Sequence, residues 1–323
     1  MKAAVYYETG APEVFRYEDV PDPQVGPGDV LIDVEAVSIE GGDTLNRLGG
    51  DLARVPHVVG YQAAGTVAAV GAEVRGFAVG DRAVTVGLDG SHAERRAVPA
   101  GFAWKIPDGV STDDAACVPV PFGTADDCLF EFGRLQAGET ALVHAGAGGV
   151  GIAAIQMAKR AGARVLATAS SDARLERLKD LGLDDGINYA THDFVGEARR
   201  LTDGRGVDVI VDSVGGVTLQ GSIAALAYRG RCVTVGDAGR APAERLDIST
   251  MRPNNQTLSG YFLGAELLLN HQRVHGMIAG HLEAIARGEL KAVIDRAFPL
   301  SDAAGAHAYI ESRQAFGRVL LVP

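Results

Sequence analysis

The sequence predicts an α/β fold in which a helix-covered parallel sheet is inserted into a largely β, barrel-like domain made from both ends of the chain. Three observations predict it. Roughly the first hundred residues read as short apolar or alternating runs broken by turn residues. From Gly138 the rhythm becomes apolar run, glycine turn and helical stretch, repeated several times. After Phe262 that rhythm stops, and the chain closes with a long helical pattern followed by strand, helix and strand.

The β-type runs fall at residues 2–7, 14–20, 30–37, 65–70, 82–86 and 92–98, with Pro21-Asp22-Pro23, Gly26-Pro27-Gly28-Asp29 and Gly80-Asp81 between them. Strands of the parallel sheet are expected near 140–145, 164–169, 207–211 and 231–235, with helices between. The helical pattern from Ala265 to Arg287 and the closing run Gly317-Arg318-Val319-Leu320-Leu321 neither extend the sheet repeat nor make a third domain. The simplest arrangement returns them to the first domain. The expected boundaries are therefore 1–120 plus 265–323 for one domain and 121–264 for the other. A length of 323 residues also favours two cores over one.

Hydrophobic residues make up 47% of the chain and charged ones 22%, the balance of a soluble globular protein. The formal charge of −11 leaves no basic stripe for nucleic acid or an anionic membrane. The opening Met1-Lys2-Ala3-Ala4-Val5-Tyr6-Tyr7-Glu8 meets charge too early for a signal peptide, and no later run approaches membrane-spanning length, so a cytoplasmic location is expected. Cys117, Cys128 and Cys232 form no CxxC pair and read as buried reduced thiols.

The most informative segment is Leu142-Val143-His144-Ala145 running into Gly146-Ala147-Gly148-Gly149-Val150-Gly151 and then a helical stretch. Gly146, Gly148 and Gly151 have GxGxxG spacing. The first permits the tight turn, the second lets backbone amides approach a pyrophosphate, and the third lets helix and strand pack closely. A helix N-terminus there offers unpaired donors and partial positive charge to phosphates. An acidic residue at the end of the next strand would bind an NAD ribose diol. Here the strand ends Thr168-Ala169-Ser170-Ser171-Asp172-Ala173-Arg174. Two hydroxyls stand where a carboxylate is expected, and Arg174 can face a 2′-phosphate, so NADPH is favoured over NADH. Asp172 either starts a helix or takes the acidic role one turn late, and Arg174 has a solvated helix position as its alternative.

These residues, with Ile187-Asn188-Tyr189 and Val207-Asp208-Val209-Ile210-Val211-Asp212, resemble the zinc-independent quinone oxidoreductase (zeta-crystallin-like) branch of the medium-chain dehydrogenase/reductase superfamily. The resemblance spans nearly the whole chain. It implies a GroES-like β-barrel catalytic domain from both chain ends, a Rossmann doubly wound sheet between, an active-site cleft where they meet, and a homodimer. It places Ser170, Ser171, Arg174 and Tyr189 around the adenosine phosphate, and Thr124, Val214, Gly236 and Phe262 on the nicotinamide side. Arg313 is a further phosphate contact or a surface-helix residue.

Zinc-dependent members carry a Cys after the strand corresponding to residues 31–37 and a GHE motif where this chain reads Gly60-Tyr61-Gln62. Here Ser38 and Tyr61 replace the two ligands, and Glu40, His57 and His92 lack motif spacing, so no metal is expected. Hydrogen bonds must then polarise the substrate, which suits quinones or conjugated enones. The branch's Asn, Asp and frequent Tyr align with Glu40, Asp43 and Leu45, so only Asp43 is retained.

Glu40, Asp43 and Tyr61 are the candidate catalytic residues. Glu40 is either a proton donor with a raised pKa or a hydrogen-bonding group for backbone or ribose. Asp43 reads as an orienting residue, Tyr61 as a donor or a packed ring, and His92 as a cleft-lining or structural residue. The expected activity is hydride transfer from NADPH to a quinone. The alternatives are an enoyl or enone reductase and, from another class, a non-catalytic NADPH-binding protein.

Overall fold

The computed structural model describes residues 1–52, 54–240 and 245–323. In chain order the first stretch contains β1 (Lys2–Val5), β2 (Arg16–Asp19), β3 (Asp29–Ser38), α1 (Gly41–Gly49), β4 (Gln62–Val70), β5 (Arg82–Val86), β6 (Arg95–Pro99), β7 (Ala103–Lys105) and α2 (Thr112–Ala116). Next come α3 (Pro119–Asp126), β8 (Thr140–Val143), α4 (Gly149–Arg160), β9 (Arg164–Ala169), α5 (Asp172–Lys179), β10 (Asp185–Asn188), α6 (Phe194–Leu201), β11 (Val207–Asp212), α7 (Gly216–Ala225), β12 (Leu226–Thr234) and β13 (Thr257–Gly260). The chain closes with α8 (Leu263–Leu269), α9 (His271–Ala286), β14 (Ile294–Pro299), α10 (Ala303–Glu311) and β15 (Arg318–Val322). Two compact units result, Met1–Val120 with Gly264–Pro323 and Pro121–Leu263.

In the first unit a seven-stranded sheet runs β14-β15-β3-β4-β5-β7, with β6 also paired to β3. Its pairings are antiparallel except β14 with β15. The C-terminal tail joins this sheet because β15 pairs with the end of β3, Leu320 opposite Ser38 and Leu321 opposite Val37. One buried cluster then draws on both chain ends: Ile32, Val34 and Val37 pack with Leu300, Ala306, Val319 and Leu321. Removing that much apolar surface from water is what holds the tail in place.

In the second unit all six strands are parallel, in the order β10-β9-β8-β11-β12-β13. Counted within the unit this is 3-2-1-4-5-6, the doubly wound order of the Rossmann fold. The strands read as continuous apolar runs because helices cover both faces of such a sheet. Leu142, Leu166, Ile210 and Cys232 form the centre of its core. The strand order reverses at β8, so the carboxyl ends of β8 and β11 flank the switch point where such sheets bind ligands.

The structure departs from the sequence reading in several places, first in the parallel sheet, where β10 and β13 add to the four strands expected. The region read as β alone contains α1, which starts at Gly41 behind the N-cap Glu40. A side chain at Gly42 would collide with the Tyr61 ring, so this glycine serves packing. The run at 14–20 is a 3₁₀ turn over Pro12–Val14 followed by the shorter β2. The helix expected over 265–287 is two helices, α8 and α9, broken at Asn270 with φ −123° and ψ 35°. All three cysteines are buried free thiols. Among the described residues no helix is long and apolar enough to cross a membrane.

Candidate active site

The glycine turn is built by backbone geometry. Past β8, the His144 amide donates to Val211 O at 3.1 Å, and Gly146 N turns back to Thr168 O at 2.8 Å. Ala145 between them has φ 49°, the left-handed region that side chains with a Cβ rarely occupy. Each motif glycine then has its own reason. A Cβ at Gly146 would lie 2.9 Å from Ala167 Cβ and 3.1 Å from Leu178 Cδ1, and one at Gly151 would strike Ala145 O and the Gly146 backbone. Gly148 is the open one, its nearest neighbour being Ala145 O at 3.3 Å. It is also the N-cap of α4 and brings no capping side chain. The first-turn amides of Gly149, Val150 and Gly151 therefore meet no competing acceptor from the cap, which fits a pyrophosphate. Ala147 is buried beneath the turn.

At the end of β9, Ser171 caps α5 by accepting from Arg174 N at 3.4 Å, and Ser170 and Arg174 are half-buried. Asp172 accepts from Asn188 Nδ2 at 2.9 Å, which makes it a helix-start residue tied to the end of β10. Tyr189 N donates to Ala169 O at 3.1 Å, holding the exposed Tyr189 ring at the same strand ends. Ser170, Ser171, Arg174 and Tyr189 are thus brought together at the carboxyl ends of β9 and β10.

On the other side of the switch point, Asp212 Oδ1 accepts from Val214 N and Gly215 N, both at 2.9 Å. A Cβ at Gly236 would lie 3.3 Å from Ser213 O, so Gly236 passes close to the same loop. Thr124 is buried in α3, which continues into a π-helical turn over Asp127–Glu131. Tyr261 Oη donates to Asp127 Oδ2 at 2.9 Å, anchoring the segment that carries the exposed Phe262. Arg313, just past α10 with φ 58°, is carried by the first unit and not by the unit holding the turn.

The three candidate catalytic residues cluster within the first unit. Asp43 Oδ2 accepts from Glu40 N at 2.8 Å, one arm of a capping box at the start of α1. Glu40 Oε1 accepts from Gln62 Nε2 at 2.5 Å and from Arg318 Nη2. Arg318 also donates to Ser38 Oγ at 2.9 Å and to Ile39 O. Gln62 completes the frame by accepting from Val120 N at 2.9 Å. Glu40 is only 5% exposed, so this is a buried ion pair. Tyr61 differs: its hydroxyl accepts from Asn46 Nδ2 at 3.0 Å and keeps its own proton for donation. His92 is fully buried between Ser91 and His307, with its ring pushed down to about 3 chiefly by burial, which makes it a structural residue.

Burial pushes the Glu40 carboxyl up to about 8 against the pull of the Arg318 guanidinium, and pushes Asp43 up to about 7 against its amide partner. Raised carboxyl pKa values mean that the folded state holds protons more tightly than the unfolded one. The stability they contribute is fully present below the ordinary values of 4.5 and 3.8, and is lost as pH rises through about 8 and 7. The expected result is a wild-type stability that declines between pH 4.5 and 8 relative to Glu40→Gln, read from urea unfolding at several pH values. A constant difference would show that Glu40 titrates normally.

Residues missed by sequence reasoning are Arg318 and Asn46. Arg318 lies 278 positions from Glu40 and was read only as part of a strand. Asn46 was hidden because α1 itself went unseen. The donor set does not fit zinc: Ser38 and Tyr61 offer hydroxyls, and the Arg318 guanidinium lies against Ser38 and Glu40, putting a fixed cation there. Among the described residues no group of three or more His, Cys, Asp or Glu is placed to hold a metal ion.

Comparison with known proteins gives consistent matches. Family models described as an alcohol dehydrogenase GroES-like domain and a zinc-binding dehydrogenase match residues 26–108 and 149–283. A 2-haloacrylate reductase of a Burkholderia species is 32% identical over 99% of this chain and 98% of that protein. A quinone oxidoreductase of Pseudomonas aeruginosa is 33% identical over 97% of each. Among solved structures, a mycobacterial protein complexed with NADPH superposes with a TM-score of 0.93 at 35% identity, covering 100% of both chains.

Proposed function

The chain belongs to the quinone oxidoreductase branch of the medium-chain dehydrogenase/reductase superfamily, and from that premise we propose that it is an NADPH-dependent reductase that delivers hydride to a quinone without zinc. The observation that carries this reading is the strand, glycine turn and uncapped helix over residues 140–160, beside a strand end that offers Ser170, Ser171 and Arg174. NADPH, when bound, supplies the hydride.

The chain's own groups have separable tasks. The amides of the turn at Gly146, Ala147, Gly148, Gly149, Val150 and Gly151 would hold the pyrophosphate, and Ser170, Arg174 and Tyr189 would hold the 2′-phosphate. Asp172 Oδ1 accepts from Asn188 Nδ2, which ties the start of α5 to the end of β10. Tyr61 donates a hydrogen bond to the acceptor's carbonyl oxygen. Burial raises its pKa, so its proton is retained at neutral pH. Glu40, held through Oε1 by Gln62 and Arg318, and Asp43, held at the start of α1, shape the site. Two-electron reduction of a quinone takes one hydride and one further proton, which Tyr61 or solvent provides.

A second reading, reduction of an α,β-unsaturated acid or ketone, is favoured by the match to a 2-haloacrylate reductase over nearly the full length of both proteins. Loss of NADPH absorbance with benzoquinone and naphthoquinone, against 2-chloroacrylate and simple enones, separates the two by kcat/KM. Tight NADPH binding with no turnover of any acceptor would support a non-catalytic cofactor-binding role instead. Arg174→Ala should weaken NADPH binding about tenfold to a hundredfold while leaving NADH unchanged. Equal losses for both cofactors, measured by fluorescence titration, would remove Arg174 from the 2′-phosphate site.

A further inference from the structure

Four buried polar side chains in the second unit remain unused by this mechanism, and together they join the two loops at the switch point. Thr168 Oγ1 lies 3.3 Å from Ala145 N and 3.1 Å from His144 Nδ1. His144 Nε2 lies 3.0 Å from Ser222 Oγ. Ser222 Oγ donates to Asp212 Oδ2 at 2.8 Å, with Thr218 O at 3.0 Å as its other acceptor. The opposite oxygen of Asp212 receives the amides of Val214 and Gly215. All four side chains are at least 98% buried.

The direction of every bond in this chain follows from counting protons. Ser222 has one hydroxyl hydrogen, and the groups at 2.8 and 3.0 Å are a carboxylate and a carbonyl, neither of which can donate. Ser222 Oγ must therefore accept from His144, which puts the imidazole hydrogen on Nε2 and leaves Nδ1 bare. Thr168 then donates its hydroxyl hydrogen to Nδ1, and its oxygen accepts from the Ala145 amide. Burial lowers the pKa of His144, which keeps the ring neutral as this pattern requires. The ring is further held edge-on to Phe194, centroids 4.7 Å apart.

We propose that Thr168, His144, Ser222 and Asp212 form a one-way hydrogen-bond chain that sets the spacing of the glycine turn against the Val214-Gly215 loop, and so acts as a positioning device for the cofactor. The two ends support this. At one end the chain holds the amide of Ala145, the residue forced to φ 49° where the turn begins. At the other it holds the two amides that shape the loop after β11. Strands β8 and β11 are hydrogen-bonded neighbours, yet their loops share no direct backbone bond beyond His144 N to Val211 O, so past that point the side chains carry the coupling. The set contains Ser, His and Asp but is not a hydrolytic triad, because Ser222 lies between the other two and gives its proton to the carboxylate.

The proposal rests on the reading that NADPH spans these loops, and its test separates the two. His144→Phe keeps the ring and its contact with Phe194 but removes both nitrogens. Thr168→Val and Thr168→Ser provide a second break and its conservative rescue. NADPH affinity should fall about tenfold in His144→Phe and Thr168→Val and return in Thr168→Ser, while adenosine 2′-monophosphate, which reports only the Ser170 and Arg174 end, changes by less than about twofold. Amide hydrogen exchange of the cofactor-free proteins should quicken at Ala145, Val214 and Gly215 together. NADPH affinity held within about twofold in both breaking variants, or an equal loss for NADPH and the monophosphate, overturns the proposal. If the wild type binds neither ligand, the cofactor reading fails by itself. The exchange measurement then decides the coupling: unchanged rates at either loop refute it, and joint quickening upholds it.

Discussion

Arg318→Met should lower the unfolding free energy by about 3–5 kcal/mol above pH 8, where the wild-type pair is charged and the variant must either bury an unpaired carboxylate or keep Glu40 protonated. The guanidinium answers three acceptors in the first unit: Glu40, Ser38 Oγ and Ile39 O. Met preserves the length and apolar packing of the side chain, so the loss reports charge and hydrogen bonding and not a cavity. At pH 6 the deficit should shrink, because the Glu40 carboxyl takes up a proton in both proteins. Adding Glu40→Gln to Arg318→Met should restore part of the stability by removing the unpaired carboxyl. Urea unfolding of the four proteins at pH 6 and 8.5 makes the comparison. A deficit independent of pH and unaffected by Glu40→Gln would mean that Arg318 stabilises through packing alone.

Gly151→Ala should remove NADPH binding and cost about 1–3 kcal/mol of stability, the usual range for forcing atoms into a packed interior. The added methyl would meet the Ala145 carbonyl and the Gly146 backbone, neither of which can rotate aside as a flexible side chain would. Relief requires α4 to move away from the turn, and the first-turn amides move with it. Gly148→Ala, where the nearest atom is Ala145 O at 3.3 Å, should be better tolerated by the folded protein while still obstructing the cofactor. Denaturation and NADPH titration of the two variants would show the contrast. Equal stability losses at both positions would contradict the packing argument.

The legibility of these features follows sequence distance. The glycine turn could be read directly because its chemistry is backbone chemistry, written in consecutive residues between a strand and a helix. Ser170, Ser171 and Arg174 were readable for the same reason. The Glu40 frame was not, since Arg318 and Gln62 reach it from positions 278 and 22 residues away. Asn46 was concealed because α1 was not expected, and no local pattern shows that the Tyr61 ring fills the space beside Gly42. His144 showed only as a strand residue. Its meaning depends on Ser222, 78 positions later, and on a proton count that requires three-dimensional neighbours.

The pairing of β15 with the end of β3 also sets an order of events during synthesis. The second unit, Pro121–Leu263, is complete in sequence before β14, α10 and β15 leave the ribosome. It can close its parallel sheet as a nascent chain, whereas the first unit must wait with Ser38 and Val37 unmatched along one strand edge. Domains that become complete early generally fold as units while translation continues. The apolar face made by Ile32, Val34 and Val37 lacks its C-terminal cover throughout that interval.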